Sequence, residues 1–383
     1  GRYTALESAK NYLNSCAPNA VLFTNGDNDT FPLWYAQEVE GVRTDIRVVN
    51  LSLLNTDWYI DQMKRRAYQS APLPISLKYE QFVQGQRDYI PVYESIKNPV
   101  DIGKVMEFIT SDRAEAKVRM GSGDMSNFVP TKNLIIPVDS AKVLSNGTLD
   151  KKYAPNLLKS VDWALGDKDY MLKSEIIILD LLANFKWDRP VYFAITVGGD
   201  SYINLEKYFR LDGLAYRFVP MINERKDGQI GSIDTDILYE NLMNKFVWGN
   251  LNDKRVYLDE NNLRMTMNLR NNFSRLAESL LDEGKRDSAV KVLDRCIEVM
   301  PHETVPYNVF ILGIAEGYYR AGEIQKATAI VEKMKSLTLE ELDYYFALKP
   351  EYQSSVETEV KRAMAVLQEI NRLTRQYNQT ELN

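Results

Sequence analysis

Residues 20–37 read AVLFTNGDNDTFPLWYAQ, and their pattern indicates the fold class. It opens with a short apolar run that favours a β-strand, and a turn rich in Gly, Asn and Asp follows. The segment from Pro32 to Gln37 is typical of the first turns of a helix. Residues 45–51 predict the next strand, and helical character resumes over residues 58–66. The order is therefore strand, helix, strand, helix.

These strands predict a sheet of the α/β class. Both are mainly apolar and a helix joins them, so they are expected to lie parallel in a sheet with helices on both faces. Residues 189–196 predict another strand, which is followed by a turn at 198–201, a helix through Phe209 and a strand over 214–220. Residues 133–138 and 141–144 are predicted as a short strand pair and residues 156–185 as largely helical. We expect a Rossmann-like, mainly parallel sheet.

The length of 383 residues favours two domains. An α/β domain is predicted over residues 1–250, with an irregular, proline-interrupted insertion at about 70–132. After a stretch rich in Asn and Asp the predicted strands stop. Residues 251–383 are predicted to form an all-α, tetratricopeptide-like helical domain with capping helices.

An internal repeat carries the tetratricopeptide interpretation. The pattern around Ala277, Gly284 and Ala289 recurs around Ala315, Gly322 and Ala327. The two glycines are 38 residues apart (322 minus 284), which fits the usual repeat of about 34 residues with a short insertion. Two repeats are too few to stand alone, so helices over 339–346 and 352–376 are expected to cap the stack.

Composition excludes several classes of function. The 47 basic and 53 acidic residues are mixed along the chain and give a net charge of -6, so no nucleic-acid partner is expected. No apolar run approaches the roughly 20 residues of a membrane-spanning helix. Neither a glycine-rich phosphate loop nor a cysteine metal motif occurs, so no cofactor is expected, although a divalent cation is possible. The start at Gly1, without Met or a signal region, suggests a piece excised from a longer protein.

Polar turns follow each of the three predicted parallel strands. The carboxyl ends of such strands meet at one edge of the sheet, where open α/β folds place their ligands. We therefore predict an acidic pocket able to hold a divalent cation or the hydroxyls of a sugar. The candidate ligand residues are Asn25, Asp27, Asn28, Asp29, Trp34, Asn55, Asp57, Trp58 and Asp200, with Asp27 and Asp29 as candidate metal ligands. No catalytic residue is assigned.

Local structure offers another explanation for the same turns. Asp29 or Thr30 is suited to cap the helix that Pro32 helps to start, and Asn55 to cap the next one.

His302, the only histidine, is expected to be a solvated turn residue, which argues against His-based triads and His-ligated zinc. The aromatic residues at 318–319 and 344–346 favour packing between helices over a peptide groove.

The run over residues 19–37, continued by 43–45 and 48–59, closely resembles the carboxy-terminal region of a Bacteroidetes family of large membrane proteins long labelled a domain of unknown function. In that family a polytopic half similar to GT-C type protein O-mannosyltransferases precedes a half with tetratricopeptide repeats. The resemblance implies a location at the periplasmic face of the inner membrane, beside a glycosyl-transfer site. It lends no catalytic residue to this sequence.

Three functional hypotheses follow. The leading one is a periplasmic accessory domain of a membrane-bound glycosyltransferase, which binds or positions an acceptor protein or glycan beside its own amino-terminal membrane domain and is not catalytic alone. The second is a metal-dependent transferase or hydrolase that uses the acidic turn at 25–30. The third is a purely architectural protein-interaction module.

Overall fold

The structure is a computed structural model that describes residues 3–121, 123–224 and 228–379. The chain divides into two compact units, Ala9–Asp234 and residues 3–8 with 235–379. All strands of the described residues lie in the first unit, and the later part of the chain is helical. The prediction of an α/β region followed by a helical region is confirmed.

The first part of the chain alternates short helices and strands. Its elements are α1 (Thr4–Ser15), β1 (Val21–Thr24), α2 (Asp27–Glu38), β2 (Arg47–Asn50), α3 (Asp57–Met63), α4 (Tyr79–Phe82), β3 (Tyr89–Pro91), β4 (Val100–Asp101), α5 (Ile102–Ile109), β5 (Lys117–Arg119), β6 (Met125–Asn127), β7 (Asn133–Pro137), α6 (Ser140–Ser145), β8 (Ser160–Ala164), β9 (Tyr170–Leu172), α7 (Lys173–Asn184), β10 (Val191–Ala194), β11 (Phe209–Leu211), β12 (Ala215–Phe218) and β13 (Ser232–Ile233).

The central sheet of the described residues has six strands in the order β13-β11-β12-β10-β1-β2. β1 pairs in parallel with β2 and with β10, and β11 pairs in parallel with β13. β12 is antiparallel to both β10 and β11. The sheet is therefore mixed, and a Rossmann-like, mainly parallel order is not confirmed.

The core of the sheet is apolar and aromatic. Every residue of β1, β2 and β10 is buried, as expected for parallel strands that are covered on their faces. The ring of Phe193 lies 5.0 Å from that of Phe23 and 5.1 Å from that of Phe209. Polar side chains within these strands, such as that of Arg47, are buried together with the apolar ones.

Three local predictions were wrong. Residues 141–144 lie in helix α6, because the carboxylate of Asp139 caps that helix by accepting from the Lys142 N–H at 3.0 Å. Residues 156–185 contain β8 and β9 before α7, and β8 alternates buried and accessible residues with the period of a strand. The segment from 201 to 208 contains short 3₁₀ turns and Phe209 begins β11, since Ile203 and Asn204 adopt left-handed backbone angles that a helix cannot contain.

The segment at about 70–132, predicted as an irregular insertion, holds only short elements in its described part. β4 adds to a small sheet of order β4-β7-β8, while β3 pairs with β9 and β5 with β6. The domain limits at 250 and 251 stay predictions.

The later part of the chain forms α8 (Thr235–Tyr239), which continues into a π-helical turn (Glu240–Lys245), and then α9 (Glu260–Asp282), α10 (Arg286–Val299), α11 (Ile311–Arg320), α12 (Ile324–Ala347), α13 (Pro350–Gln353) and α14 (Glu357–Gln376). The predicted cap at 339–346 is not a separate helix, because α12 runs without a Gly or Pro from residue 324 to residue 347. The predicted cap at 352–376 is divided between α13, a 3₁₀ turn and α14.

Gly284 and Gly322, which define the repeat, both have positive φ angles just after the ends of α9 and α11. Glycine adopts this conformation at little cost, so it ends each helix cleanly. Ala277, Ala289 and Ala315 are fully buried between helices, as a close approach requires. The helical character is confirmed, and the tetratricopeptide arrangement stays a prediction.

Candidate functional site

Three of the predicted ligand residues line one cavity of the Ala9–Asp234 unit. Asn25 follows β1, Asn55 lies beyond β2, and Asp200 lies beyond β10. All three border a cavity of about 410 Å³, together with Ser52, Lys168 and Glu175. We call it the sheet-edge cavity, because it lies where the carboxyl ends of neighbouring parallel strands meet.

Hydrogen bonds fix the polar wall of the sheet-edge cavity. The Ser52 hydroxyl donates to Asn25 Oδ1 at 2.7 Å. Asn55 Oδ1 accepts from the backbone N–H of Ser174 at 3.0 Å, and Asn55 Nδ2 donates to the carbonyls of Leu51 and Ser52. The amides are therefore held in defined orientations beside the first turn of α7.

An ion pair completes the sheet-edge cavity. Lys168 Nζ lies 2.6 Å from Glu175 Oε1, and Glu175, which is only 8% exposed, also accepts from the Leu172 N–H at 2.9 Å. A carboxylate at the first turn of a helix is favoured by the helix dipole. The ring of Tyr170 is exposed at this cavity and packs edge-on against Tyr89. The cavity thus combines amides, hydroxyls, both signs of charge and an aromatic ring.

Asp27, Asn28 and Asp29 lie outside the lining of this cavity, although Asn25 of the same turn belongs to it. Asp27 and Asn28 are exposed in the first turn of α2. Asp29 accepts a hydrogen bond of 2.6 Å from the Thr196 hydroxyl, and Tyr12 Oη lies 3.2 Å from the same hydroxyl. Burial raises the pKa of Asp29, and the Thr196 hydrogen bond opposes this effect. Burial also raises the pKa of Tyr12.

Asp57 is engaged by backbone groups. Its carboxylate accepts from the N–H of Gln84 at 3.1 Å and from that of Trp58 at 2.6 Å. Over the described residues, no group of three or more His, Cys, Asp and Glu side chains is arranged to hold a metal ion. The candidate metal ligands Asp27 and Asp29 stay predictions.

Trp34 and Trp58 line a different cavity, of about 330 Å³. It lies beside β2, between α2 and α3, and we call it the tryptophan cavity. Arg47, Tyr59 and Tyr68 also line it.

The capping explanation of the turns is wrong in detail. In the described residues, α2 begins after Gly26 and α3 after Thr56, and neither residue makes a side-chain cap hydrogen bond. The Thr30 hydroxyl instead donates to the Gly26 carbonyl at 2.8 Å, and Asn50 Nδ2 donates to Thr30. Helix α2 starts five residues before Pro32, so this proline lies inside it.

The helical unit has a cleft of about 790 Å³, which His302 and Tyr318 border together with Asp294 and Lys326. His302 is partly buried, and its Nδ1 accepts from the Tyr307 N–H at 3.0 Å. Burial lowers the pKa of His302. Tyr318 and Tyr319 are buried and pack between helices, whereas Tyr344 and Phe346 are exposed.

A family model described as TMEM260-associated domain 2 matches residues 5–237, more than half of the chain. The chain belongs to this family. TMEM260 is a membrane protein, so the predicted link to a membrane protein is supported at this level. The resemblance to the Bacteroidetes family and to glycosyltransferases stays a prediction. Searches of curated proteins and of solved structures gave no match.

The region matched as TMEM260-associated domain 2 contains the whole six-stranded sheet and every residue of both the sheet-edge and tryptophan cavities. None of the helices in the described ranges is long and apolar enough to cross a membrane.

Sequence reasoning missed several residues of the sheet-edge cavity in this TMEM260-associated domain. Lys168, Tyr170, Ser174 and Glu175 lie in the stretch at 156–185 that was predicted as largely helical. The available signal was Glu175 at the third position of α7, where it reaches back to the backbone N–H before the helix. That signal locates the start of α7 and hence places the residues around it at the sheet edge.

Proposed function

We propose that this chain is an accessory domain of a membrane-bound glycosyltransferase similar to GT-C type protein O-mannosyltransferases. It lies at the periplasmic face of the membrane beside its own membrane domain, and binds or positions the acceptor protein or glycan. Membership of the TMEM260-associated domain 2 family supports the link to a membrane protein. The resemblance of residues 19–59 to the Bacteroidetes family supports the link to glycosyl transfer.

The observation that carries this proposal is the chemistry of the sheet-edge cavity. Sugar hydroxyls donate and accept hydrogen bonds, and the cavity offers a carboxylate at Asp200, an amide at Asn25 and a cation at Lys168. The exposed ring of Tyr170 offers a flat apolar surface for the C–H face of a pyranose. Its volume lies within the range of small-ligand sites, roughly 300–1,000 Å³.

The helical unit is proposed to contact the acceptor polypeptide through a tetratricopeptide-like stack. Buried Ala277 and Ala315, and the helix-ending glycines Gly284 and Gly322, support this arrangement. The cleft beside His302 carries charges of both signs and aromatic rings, which suit a polar peptide.

The test is a titration, followed by NMR, of the chain with a panel of neutral mono- and disaccharides and with Ser/Thr-rich peptides. We expect a saccharide of the panel to bind and Asp200→Asn to weaken it roughly tenfold, because a hydrogen bond to a charged group contributes about 1.5–3 kcal/mol. Asp27→Asn is the matched control: it makes the same chemical change on an exposed residue outside the cavity lining.

Equal weakening by both variants, or no shift of sheet-edge resonances with any saccharide, would refute glycan binding at this cavity. Peptide binding that survives Asp200→Asn but is lost in Lys326→Ala would assign the acceptor contact to the helical cleft. If the chain binds neither a saccharide nor a peptide, the architectural hypothesis is the better one.

A further inference from the structure

The tryptophan cavity shares no lining residue with the sheet-edge cavity. Its walls are aromatic: Trp34 is partly buried, while Trp58 and Tyr68 are 56% and 58% exposed. Gln37, Glu38 and Gln62 add polar groups to the lining. Large exposed rings around a concave surface mark sites of interaction, since soluble domains otherwise bury them.

Arg47 is the cation of the tryptophan cavity. It is only 4% exposed, and it donates to neutral groups: the Ser70 hydroxyl and the backbone carbonyls of Arg65, Ser70 and Ala71. Among the described residues it has no carboxylate partner, and its buried Nη1 has no hydrogen-bond partner. A buried, uncompensated guanidinium is costly, which points to a ligand that completes it.

A second guanidinium reinforces the positive potential at this place. Arg189 Nη2 donates to Ser70 Oγ at 3.1 Å, the same hydroxyl that Arg47 contacts. Burial and then the charge of Arg47 lower the pKa of Arg189 to about 10. The charge of Asp45 opposes this effect, but Asp45 is already paired with Arg43 at 2.8 Å. Both arginines therefore favour an anion in their vicinity.

Tyr68 is held at the rim of the cavity against its backbone preference. It has a φ angle of 51°, within a tight turn closed by reciprocal hydrogen bonds between Ala67 and Ser70. Glycine is the residue that this conformation favours. The Tyr68 hydroxyl donates to the Glu38 carboxylate, which fixes the ring beside the cavity. Strained aromatic residues of this kind cluster at ligand clamps.

We propose that the tryptophan cavity binds a sugar unit that carries a negatively charged group, a phosphate or a carboxylate. The rings of Trp34, Trp58 and Tyr68 pack against the apolar face of the sugar, and its charged group lies toward Arg47. Gln62 offers hydrogen bonds to its hydroxyls. This site does not depend on the function proposed for the sheet-edge cavity.

The first test is a comparison of three ligands by NMR titration of the whole chain: glucose 6-phosphate, glucuronate and glucose. We expect the two anions to bind and glucose to bind at least roughly tenfold more weakly, because it lacks a partner for the guanidinium. The side-chain Nε–H signal of Arg47, assigned by its loss in Arg47→Lys, should shift with the anions and not with glucose. Preference for one anion over the other distinguishes phosphate from carboxylate.

The second test uses variants that are expected to fold. Trp58→Ala should weaken anion binding roughly tenfold through loss of ring contact. The control is Tyr35→Ala, which removes an exposed aromatic ring of α2 outside the cavity lining and should leave anion binding unchanged. Tyr68→Gly should weaken binding while the melting temperature stays equal or rises, because glycine relieves the positive φ angle.

Three results would overturn the proposal: no binding of either anion, glucose binding as tightly as the anions, or anion binding that Trp58→Ala leaves unchanged. A shift of the Arg47 signal together with weakening by Trp58→Ala would establish the site.

Discussion

Asn55 Oδ1 accepts a hydrogen bond of 3.0 Å from the backbone N–H of Ser174, and so ties the turn after β2 to the first turn of α7. The two residues are 119 positions apart in the chain. Because the N–H groups of a first helical turn have no partner within the helix, an external acceptor at this point stabilises α7. The same bond shapes the wall of the sheet-edge cavity.

Asn55→Ala should therefore destabilise the Ala9–Asp234 unit. We expect a loss of about 1 kcal/mol in the free energy of unfolding, the typical net contribution of one hydrogen bond. Urea denaturation followed by circular dichroism measures it. Asn28→Ala is the control: Asn28 is exposed within α2, where alanine has the higher helix propensity, so stability should not fall. Equal stability of the two variants would contradict a structural role for Asn55.

The sheet edge could be predicted from the sequence where an apolar run marks each strand. β1, β2 and β10 are mainly apolar and are followed by polar turns, and the structure places Asn25, Asn55 and Asp200 of these turns around one cavity. Residues 156–185 were not predictable in the same way, because the short strand β9 leads directly into α7 and has no turn residue between them. Lys168 and Glu175 were missed for that reason.

The sequence predicted Trp34 and Trp58 beside the acidic turns, whereas both line the tryptophan cavity. For Trp34 the reason is geometric. Helix α2 was expected to start at Pro32, which would put Trp34 at the sheet edge. It starts at Asp27 instead, so Trp34 lies seven residues into the helix, about 10 Å along its axis at 1.5 Å per residue. Long-range contacts such as those that converge on Arg47 leave no local pattern in the sequence, and only the structure reveals them.

Asp29 should make the stability depend on pH. Burial raises its folded-state pKa above the ordinary value of 3.8, so the folded state binds this proton more tightly than the unfolded state. The resulting stabilisation is complete below pH 3.8 and is lost as the pH rises through the raised pKa. Asp29→Asn lacks this titration, and its stability relative to the wild type should therefore increase as the pH rises across that window.

The measurement for Asp29 is urea denaturation at a series of pH values. Thr196→Val provides the second arm, because it removes the hydrogen bond that lowers the pKa of Asp29. In this variant the pH range over which the stabilisation by Asp29 is lost should extend to higher pH. A constant difference between Asp29→Asn and the wild type at every pH would show that burial does not raise this pKa.

Calorimetric titration with Ca²⁺, Mg²⁺ or Mn²⁺ should give no saturable binding at the acidic turn. A cation needs several converging oxygen ligands, whereas Asp29 Oδ2 already accepts from the Thr196 hydroxyl at 2.6 Å, and the described residues hold no group of three or more His, Cys, Asp and Glu side chains arranged for a metal ion. Wild type and Asp27→Asn should give the same isotherm. Saturable binding that is lost in Asp27→Asn would instead favour the metal-dependent transferase or hydrolase hypothesis.

Removing both charges of the buried ion pair between Arg210 and Asp212 should destabilise the fold less than removing the charge of Arg210 alone. Arg210 Nε and Nη2 donate to the Asp212 carboxylate at 2.6 and 2.9 Å, and Tyr192 donates to it at 3.0 Å. Arg210→Met leaves the carboxylate buried without its guanidinium, at a cost of about 3–5 kcal/mol. Arg210→Met with Asp212→Asn removes the charge and keeps an oxygen acceptor for Tyr192, so it should recover part of that loss. Urea denaturation compares the two variants. If the double variant is no more stable than Arg210→Met, the unpaired Asp212 charge does not cause the destabilisation. Loss of packing around the aliphatic part of Arg210 then explains it.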